Sequence, residues 1–235
     1  MPESPRKFLI IRLSSIGDIV HALPAVTALG ETYPKAEIHW VVETRHARLL
    51  EGNRFIHRTI QLDTLGWRKN LTSRPTLQAI RHGIASLREA NYDAAIDFQG
   101  LYKSALIAWL SRARERIGFA RGRLREPAAG VLYTARIAAR ELNHVIELNL
   151  GVVERLGVPR IDRARWQFPL PDSSSDEEYV RGQLAAHNLQ DFIILNPGGG
   201  WQSKRWAPED YAQLIRRYST EFQSEYVLTG SPAEE

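Results

Sequence analysis

The stretch Phe8-Leu9-Ile10-Ile11-Arg12-Leu13-Ser14-Ser15-Ile16-Gly17-Asp18 decides how the rest of this 235-residue chain is read. Its first four residues are continuously apolar, too short a run for a helix and suited to a strand buried on both faces. A loop follows from Arg12 to Gly17, and the pattern from Asp18 to Glu31 predicts a helix. Working outward, Ile38 to Val42 and Thr59 to Leu62 read as further strands and Leu77 to Ala90 as an amphipathic helix. Tyr92 to Phe98 then reads as a strand and Leu101 to Leu110 as a helix. Strands alternating with helices at this spacing imply βαβ units, hence an α/β fold on a parallel sheet.

Pro169, Pro171 and the run Ser173-Ser174-Ser175 read as a linker, dividing the chain into domains at 1–170 and 171–235. Beyond it a second α/β pattern opens. Phe192 to Leu195 is a buried-strand run, Asn196 to Gly200 a turn, Pro208 to Tyr218 a helix and Tyr226 to Thr229 a strand. Ser231-Pro232-Ala233-Glu234 has the form of a helix start. Two strands cannot bury the faces of a parallel sheet, so the second domain is expected to be incomplete.

Composition narrows the function. Hydrophobic residues at 43% and charged residues at 25% are the balance of a globular protein. A net charge of +4 is too small to announce a nucleic-acid binder. The absence of cysteine removes disulfides, thiolate catalysis and Cys-based metal sites. No apolar run approaches the roughly 20 residues of a membrane span, and the N-terminus does not read as a signal peptide, so the expected location is the cytosol.

The first loop places two hydroxyls, one glycine and a carboxylate at the carboxyl edge of the sheet, where open α/β sheets bind ligands. With Gly17 its only glycine it is neither a dinucleotide fingerprint nor a P-loop. From local sequence alone Asp18 reads two ways, as a helix cap meeting free N–H groups or as a carboxylate facing a ligand. His21 and Trp206 read as packing or anchoring residues, and Pro24 as a kink near a helix start.

The string Ile11-Arg12-Leu13-Ser14-Ser15-Ile16-Gly17-Asp18-Ile19-Val20-His21-Ala22-Leu23-Pro24-Ala25 resembles the N-terminal signature of family 9 glycosyltransferases, the heptosyltransferases of lipopolysaccharide synthesis. Trp67-Arg68-Lys69, Tyr92 to Ala105, Arg125-Glu126-Pro127 and Ser203-Lys204-Arg205-Trp206 are similar to later motifs of that family, in order. The resemblance implies a GT-B architecture of two Rossmann-like domains, and inverting transfer of heptose from an ADP-sugar to the Kdo of Kdo2-lipid A. It implies Asp18 as the catalytic base, with Ser14, Ser15, Gly199, Gly200, Lys204 and Glu234 on the donor side. Arg68, Lys69, Lys103 and Arg125 are implied as acceptor-binding cations. No cofactor and no metal are expected, and the implied location is peripheral, at the cytoplasmic face of the inner membrane.

Bottom-up chemistry is compatible with these roles. A carboxylate at a loop-to-helix junction can take a proton. A lysine between a glycine-rich turn and a helix start can meet a diphosphate, and the position of Lys204 and Arg205 just after a strand, beside Gly198 to Gly200, favours an anion site over two solvated loop cations. The basic surplus at Lys103, Arg112, Arg114, Arg116, Arg121, Arg123 and Arg125 reads as a solvated face or as a surface for anions. No RNA-binding signature accompanies it, so nucleic acid is not an expected partner. Leu65, Gly66 and Leu148 depart from the pattern of the acceptor region. A later Asp-Thr-Gly donor motif of the family is absent from these residues. A non-catalytic acceptor-binding fragment, or a family 9 transferase using another nucleotide sugar, therefore stands as the alternative.

Overall fold

The computed structural model describes residues 6–138, 144–198, 203, 205–222 and 224–230. The chain divides into two compact units, Met1–Asp172 and Ser173–Glu235.

In the first unit the strands β1 (Lys7–Ile11), β2 (Glu37–Glu43), β3 (Arg58–Leu62), β4 (Ala94–Asp97), β5 (Glu115–Phe119) and β6 (Ala135–Ile137) form one sheet. The order is β3-β2-β1-β4-β5-β6 and every pairing is parallel. The order reverses between β1 and β4, which opens a crevice at their carboxyl ends. The period of two along β1 divides its side chains between two cores. Phe8 and Ile10 pack with Ile38, Trp40, Val42 and Ile96, while Leu9 and Ile11 pack with Val41, Ile60, Leu62 and Ala95. Both faces are thus covered, which is why β1 reads as a continuous apolar run rather than an alternating one.

Helices α1 (Ile16–Val20), α2 (Leu23–Thr32), α3 (Thr64–Lys69), α4 (Arg74–Glu89), α5 (Tyr102–Leu110) and α6 (Val145–Glu154) complete the unit. The single helix expected over Asp18 to Glu31 is in fact two. The first ends at Val20 with His21 as its C-cap, and the second restarts with Pro24 in its first turn, where the missing N–H has no helical partner to lose. The helix expected from Leu77 begins earlier, at Arg74. Ser73 caps it by accepting the Thr76 N–H at 3.3 Å, and Pro75 lies in its first turn. The strands β5 and β6 and the helix α6 were not singled out from sequence; charged residues interrupt the first two, while the stop signals after the third, Gly157 at φ 89° and Pro159, were passed over.

The second unit holds α7 (Ser174–Ala186), β7 (Phe192–Leu195), α8 (Pro208–Phe222) and β8 (Glu225–Leu228). β7 and β8 pair in parallel, the only sheet among its described residues. The serine run expected as linker instead starts α7, with Ser173 as N-cap and Ser174 and Ser175 in the helix. Serine suits helix N-termini as well as linkers, which is why the run misleads. The extended segment lies before it, and Asn53 fixes the Pro169 carbonyl at 3.0 Å. Trp206, expected as an anchor, is 59% exposed and lies against the Tyr211 ring with centroids 5.6 Å apart. The helix start at Ser231 to Glu234 lies outside the described residues.

Candidate active site

The two loops that leave β1 and β4 at the reversal point are stitched together. Gln99 Oε1 accepts the Leu13 N–H at 2.8 Å, and the Arg12 guanidinium donates to the Phe98 carbonyl. The indole N–H of buried Trp40 holds the Arg12 carbonyl at 3.0 Å. The loop that carries the serines is therefore pinned from three sides.

Arg12 is buried, and its second Nη reaches Asp18 Oδ1 at 2.6 Å. Asp18 Oδ2 accepts from the Ser15 N–H at 3.1 Å and from the Ser15 hydroxyl at 3.0 Å. Burial alone would push the Asp18 carboxyl up. The opposing charge of Arg12 and the hydrogen bonds from Ser15 and Arg12 outweigh it and hold the carboxyl below its ordinary range. Burial likewise lowers the Arg12 value against the pull of Asp18, but a guanidinium starts high enough to stay charged. The two local readings of Asp18 are thus compatible in one geometry. It meets the N-cap N–H of α1, and its side chain is still 39% exposed at the crevice. A carboxylate has about four lone-pair sites. Oδ2 has two donors and Oδ1 one, which leaves a lone pair on Oδ1 for an incoming hydroxyl.

A second cluster sits at the ends of β2 and β3. Glu43, only 2% exposed, receives the Thr64 N–H at 3.1 Å and the Thr64 hydroxyl, and lies 3.7 Å from the Lys103 ammonium. Lys103 also meets the Thr64 hydroxyl at 3.3 Å. Glu43 thereby fixes the first residue of α3 and orients a cation at the start of α5. Arg68 and Lys69 lie exposed in the last turn of α3. Arg125 is exposed, and its charge adds a minor part, after burial, to the lowering of the Arg12 pKa. The neighbouring Glu126 accepts the Tyr102 N–H at 2.5 Å, at the N-terminus of α5.

Asp97 closes β4 and is fully buried. It accepts from the Gln99 and Gly100 N–H groups at 2.8 and 3.1 Å and from the Tyr133 hydroxyl at 2.6 Å. Burial pushes its carboxyl up against these bonds, which places it as an organiser of the turn after β4 rather than a group facing substrate. Gly100 takes φ 68°, which allows that turn. His21 packs its ring against His144, centroids 6.4 Å apart, and its carbonyl accepts from Asn149 at 3.0 Å, which places it in packing.

The structure therefore gathers Asp18 and Ser15 at one point and gives Lys103 a fixed seat at the same edge. Ser14 is half-buried in the same loop. Gly199, Gly200, Lys204 and Glu234 lie outside the described residues. Sequence reasoning passed over Arg12, Glu43 and Asp97. All three stand at the end of an apolar strand run, the one signal that could have found them, because that is where a buried charge reaches a sheet edge. Among the described residues no three His, Asp or Glu gather as a metal site.

A six-stranded parallel sheet with a carboxylate and cations at its reversal point marks the class of open α/β protein that binds ligands at that edge. The family profile for glycosyltransferase family 9 (heptosyltransferase) matches residues 80–235, and the chain belongs to that family. It is 31% identical to lipopolysaccharide heptosyltransferase 1 of Pseudomonas aeruginosa over 97% of this chain and 62% of that protein. It is 32% identical to lipopolysaccharide heptosyltransferase 1 of Escherichia coli strain K12 over 89% of this chain and 63% of that protein. The chain thus spans less than two thirds of the length of these curated relatives. The solved structure of E. coli heptosyltransferase WaaC with ADP superposes with a TM-score of 0.71 at 27% identity, covering 97% of this chain and 69% of that one. Among the described residues no helix is long and apolar enough to cross a membrane.

Proposed function

We propose that this chain is part of an inverting heptosyltransferase that moves heptose from ADP-heptose to the Kdo of Kdo2-lipid A, at the cytoplasmic face of the inner membrane. The observation that carries the reading is Asp18, held deprotonated by Arg12 and Ser15 at the crevice with its side chain 39% exposed and Oδ1 engaged, among the described residues, by Arg12 alone. An acceptor hydroxyl hydrogen-bonded there loses its proton to the carboxylate as its oxygen attacks the anomeric carbon. The bond from that carbon to the phosphate oxygen breaks on the opposite face, ADP leaves with the electron pair, and the configuration inverts. The ion pair with Arg12 makes Asp18 a weak base, so proton transfer suits a late stage, when the attacking hydroxyl has become acidic. Arg12 fixes the carboxylate's direction, which supplies the positioning part of the rate.

The cations Arg68, Lys69, Lys103 and Arg125 fit an acceptor that carries carboxylates and phosphates. Lys103 is the best placed of them, since its pairing with buried Glu43 sets its direction while leaving it 40% exposed. Ser14 and Ser15 offer hydroxyls to the sugars, and Gly199, Gly200, Lys204 and Glu234 are assigned to the donor by family resemblance. The reading requires no metal. It is tested by incubating the protein that carries this chain with Kdo2-lipid A and a panel of ADP-, GDP- and UDP-sugars, with and without EDTA. Heptosylated product from ADP-heptose alone, at the same rate in EDTA, is expected. Transfer from another nucleotide sugar, or a chelator-sensitive rate restored by a divalent cation, would overturn it.

A further inference from the structure

At the amino edge of the sheet, opposite the loop of Asp18, Arg88, Arg112, Arg116 and Trp109 line a cavity of about 330 Å³. Arg88 lies in the last turn of α4, Trp109 at the end of α5, and Arg112 and Arg116 on the turn into β5 and its second residue. A five-residue strand separates the two edges by roughly 16 Å, so this cavity is no part of the crevice described above.

Two of its cations, Arg88 and Arg116, are held by carbonyls. Arg88 Nε donates to Leu110 O at 3.2 Å, and Arg116 donates from Nε to Leu132 O at 2.9 Å and from Nη1 to Ala113 O at 3.1 Å. Carbonyls fix the guanidinium planes without cancelling their charge. The nearby carboxylates are engaged elsewhere, Asp93 with Arg114 at 3.4 Å and Glu115 with Arg155 at 3.2 Å. Among the described residues no carboxylate pairs with Arg88, Arg112 or Arg116. The partial negative charge at the C-terminus of α5 opposes an anion, but Arg88 already covers the Leu110 carbonyl there. Arg112 takes φ 56°, a position after a helix that favours glycine, and the chain carries a cation in its place. Trp109 supplies an apolar wall that is 51% exposed.

We propose that this cavity is a binding site for a phosphate-bearing anion whose apolar part lies on Trp109, either a phospholipid headgroup or a soluble phosphate ester. Forked guanidinium donors match phosphate oxygens in pairs, and a half-exposed tryptophan beside cations is the pairing found at a membrane interface. The site stands independently of the transfer reaction.

Two probes distinguish the sources. The chain is floated with vesicles of phosphatidylglycerol or of phosphatidylcholine, and titrated with inorganic pyrophosphate by tryptophan fluorescence. Saturable pyrophosphate binding without vesicles identifies a soluble phosphate; binding to phosphatidylglycerol vesicles alone identifies a headgroup. In either case Arg112→Gly, which suits the backbone there, is expected to weaken binding at least about fivefold, with Arg112→Lys in between. Arg54→Gln, an equal change of charge elsewhere, should leave binding within about twofold. Circular dichroism checks that each variant is folded. Failure of both probes to bind overturns the site. So does an Arg54→Gln loss as large as that of Arg112→Gly, since the effect is then one of net charge.

Discussion

Replacing Glu43 with Gln tests whether Lys103, the best placed of the proposed acceptor cations, is seated by one buried carboxylate. In the native structure that carboxylate accepts two hydrogen bonds from Thr64 and lies 3.7 Å from Lys103. Neutralising the acceptor reduces each hydrogen bond from about 1.5–3 to about 0.5–1.5 kcal/mol, a loss near 1 kcal/mol apiece. The ion pair adds only about 0.5–1 kcal/mol, because Lys103 is too exposed for its Coulomb energy to escape screening. The sum, about 2–3 kcal/mol, corresponds to a fall in Tm of about 4–12 °C at 2–4 °C per kcal/mol for a chain of this size. The amide also presents N–H donors toward the ammonium, so Lys103 should turn away and the KM for acceptor should rise while that for ADP-heptose holds. Thermal unfolding by circular dichroism and initial rates at varied acceptor read the two effects. A Tm within about 1 °C of wild type together with an unchanged acceptor KM would refute the seating role.

Lys69→Ala, Lys103→Ala and Arg125→Ala should each raise the acceptor KM and flatten its dependence on salt, because exposed cations facing an anion are screened by ions; a donor KM that moves instead would show the patch serves the other substrate. Tyr133→Phe removes one bond to fully buried Asp97 and should cost about 1–3 kcal/mol, read as a lower urea midpoint; no shift would mean that the hydroxyl is not holding the turn after β4. His39 is buried beside Tyr92, with its ring nitrogen 2.8 Å from the hydroxyl, and burial holds its pKa below the ordinary 6.5 despite Glu37. The unfolded chain therefore binds the proton first, so stability is full above 6.5 and declines as pH falls through the lower folded value. Urea midpoints should drop between pH 7 and pH 5 in wild type and drop less in His39→Gln, and equal slopes would contradict that assignment.

The fold was legible where burial leaves a mark on composition. Phe8 to Ile11 is buried on both faces, so its run is apolar throughout and reads as a central strand; Ile38 to Val42 is apolar but for His39, whose ring is buried against Tyr92. β5 escaped notice because Glu115 and Arg116 open it and only Ile117, Gly118 and Phe119 are fully buried. The break between α1 and α2 was half legible in Pro24, but a proline alone does not say whether a helix bends or restarts. At the site, Asp18 stood out because a short polar loop framed it. Glu43 and Arg12 did not, since the property that makes them informative is a charge buried against partners distant in sequence: Thr64 and Lys103 for one, Phe98 for the other. Single-sequence patterns do not carry such contacts.

The central claim is that Asp18 removes the acceptor proton, and Asp18→Asn tests it most directly, because asparagine keeps the shape and an oxygen for Arg12 but is no base. The measurement is kcat with ADP-heptose and acceptor both saturating, alongside the urea midpoint. The account predicts a fall in kcat of about 10² to 10⁴, with a loss of stability near 1 kcal/mol from the weakened contact at the start of α1 and a donor KM close to wild type. A variant that loses the same stability yet turns over at the wild-type rate would contradict it, and would leave Asp18 as the capping partner of Ser15 at the start of α1 and nothing more.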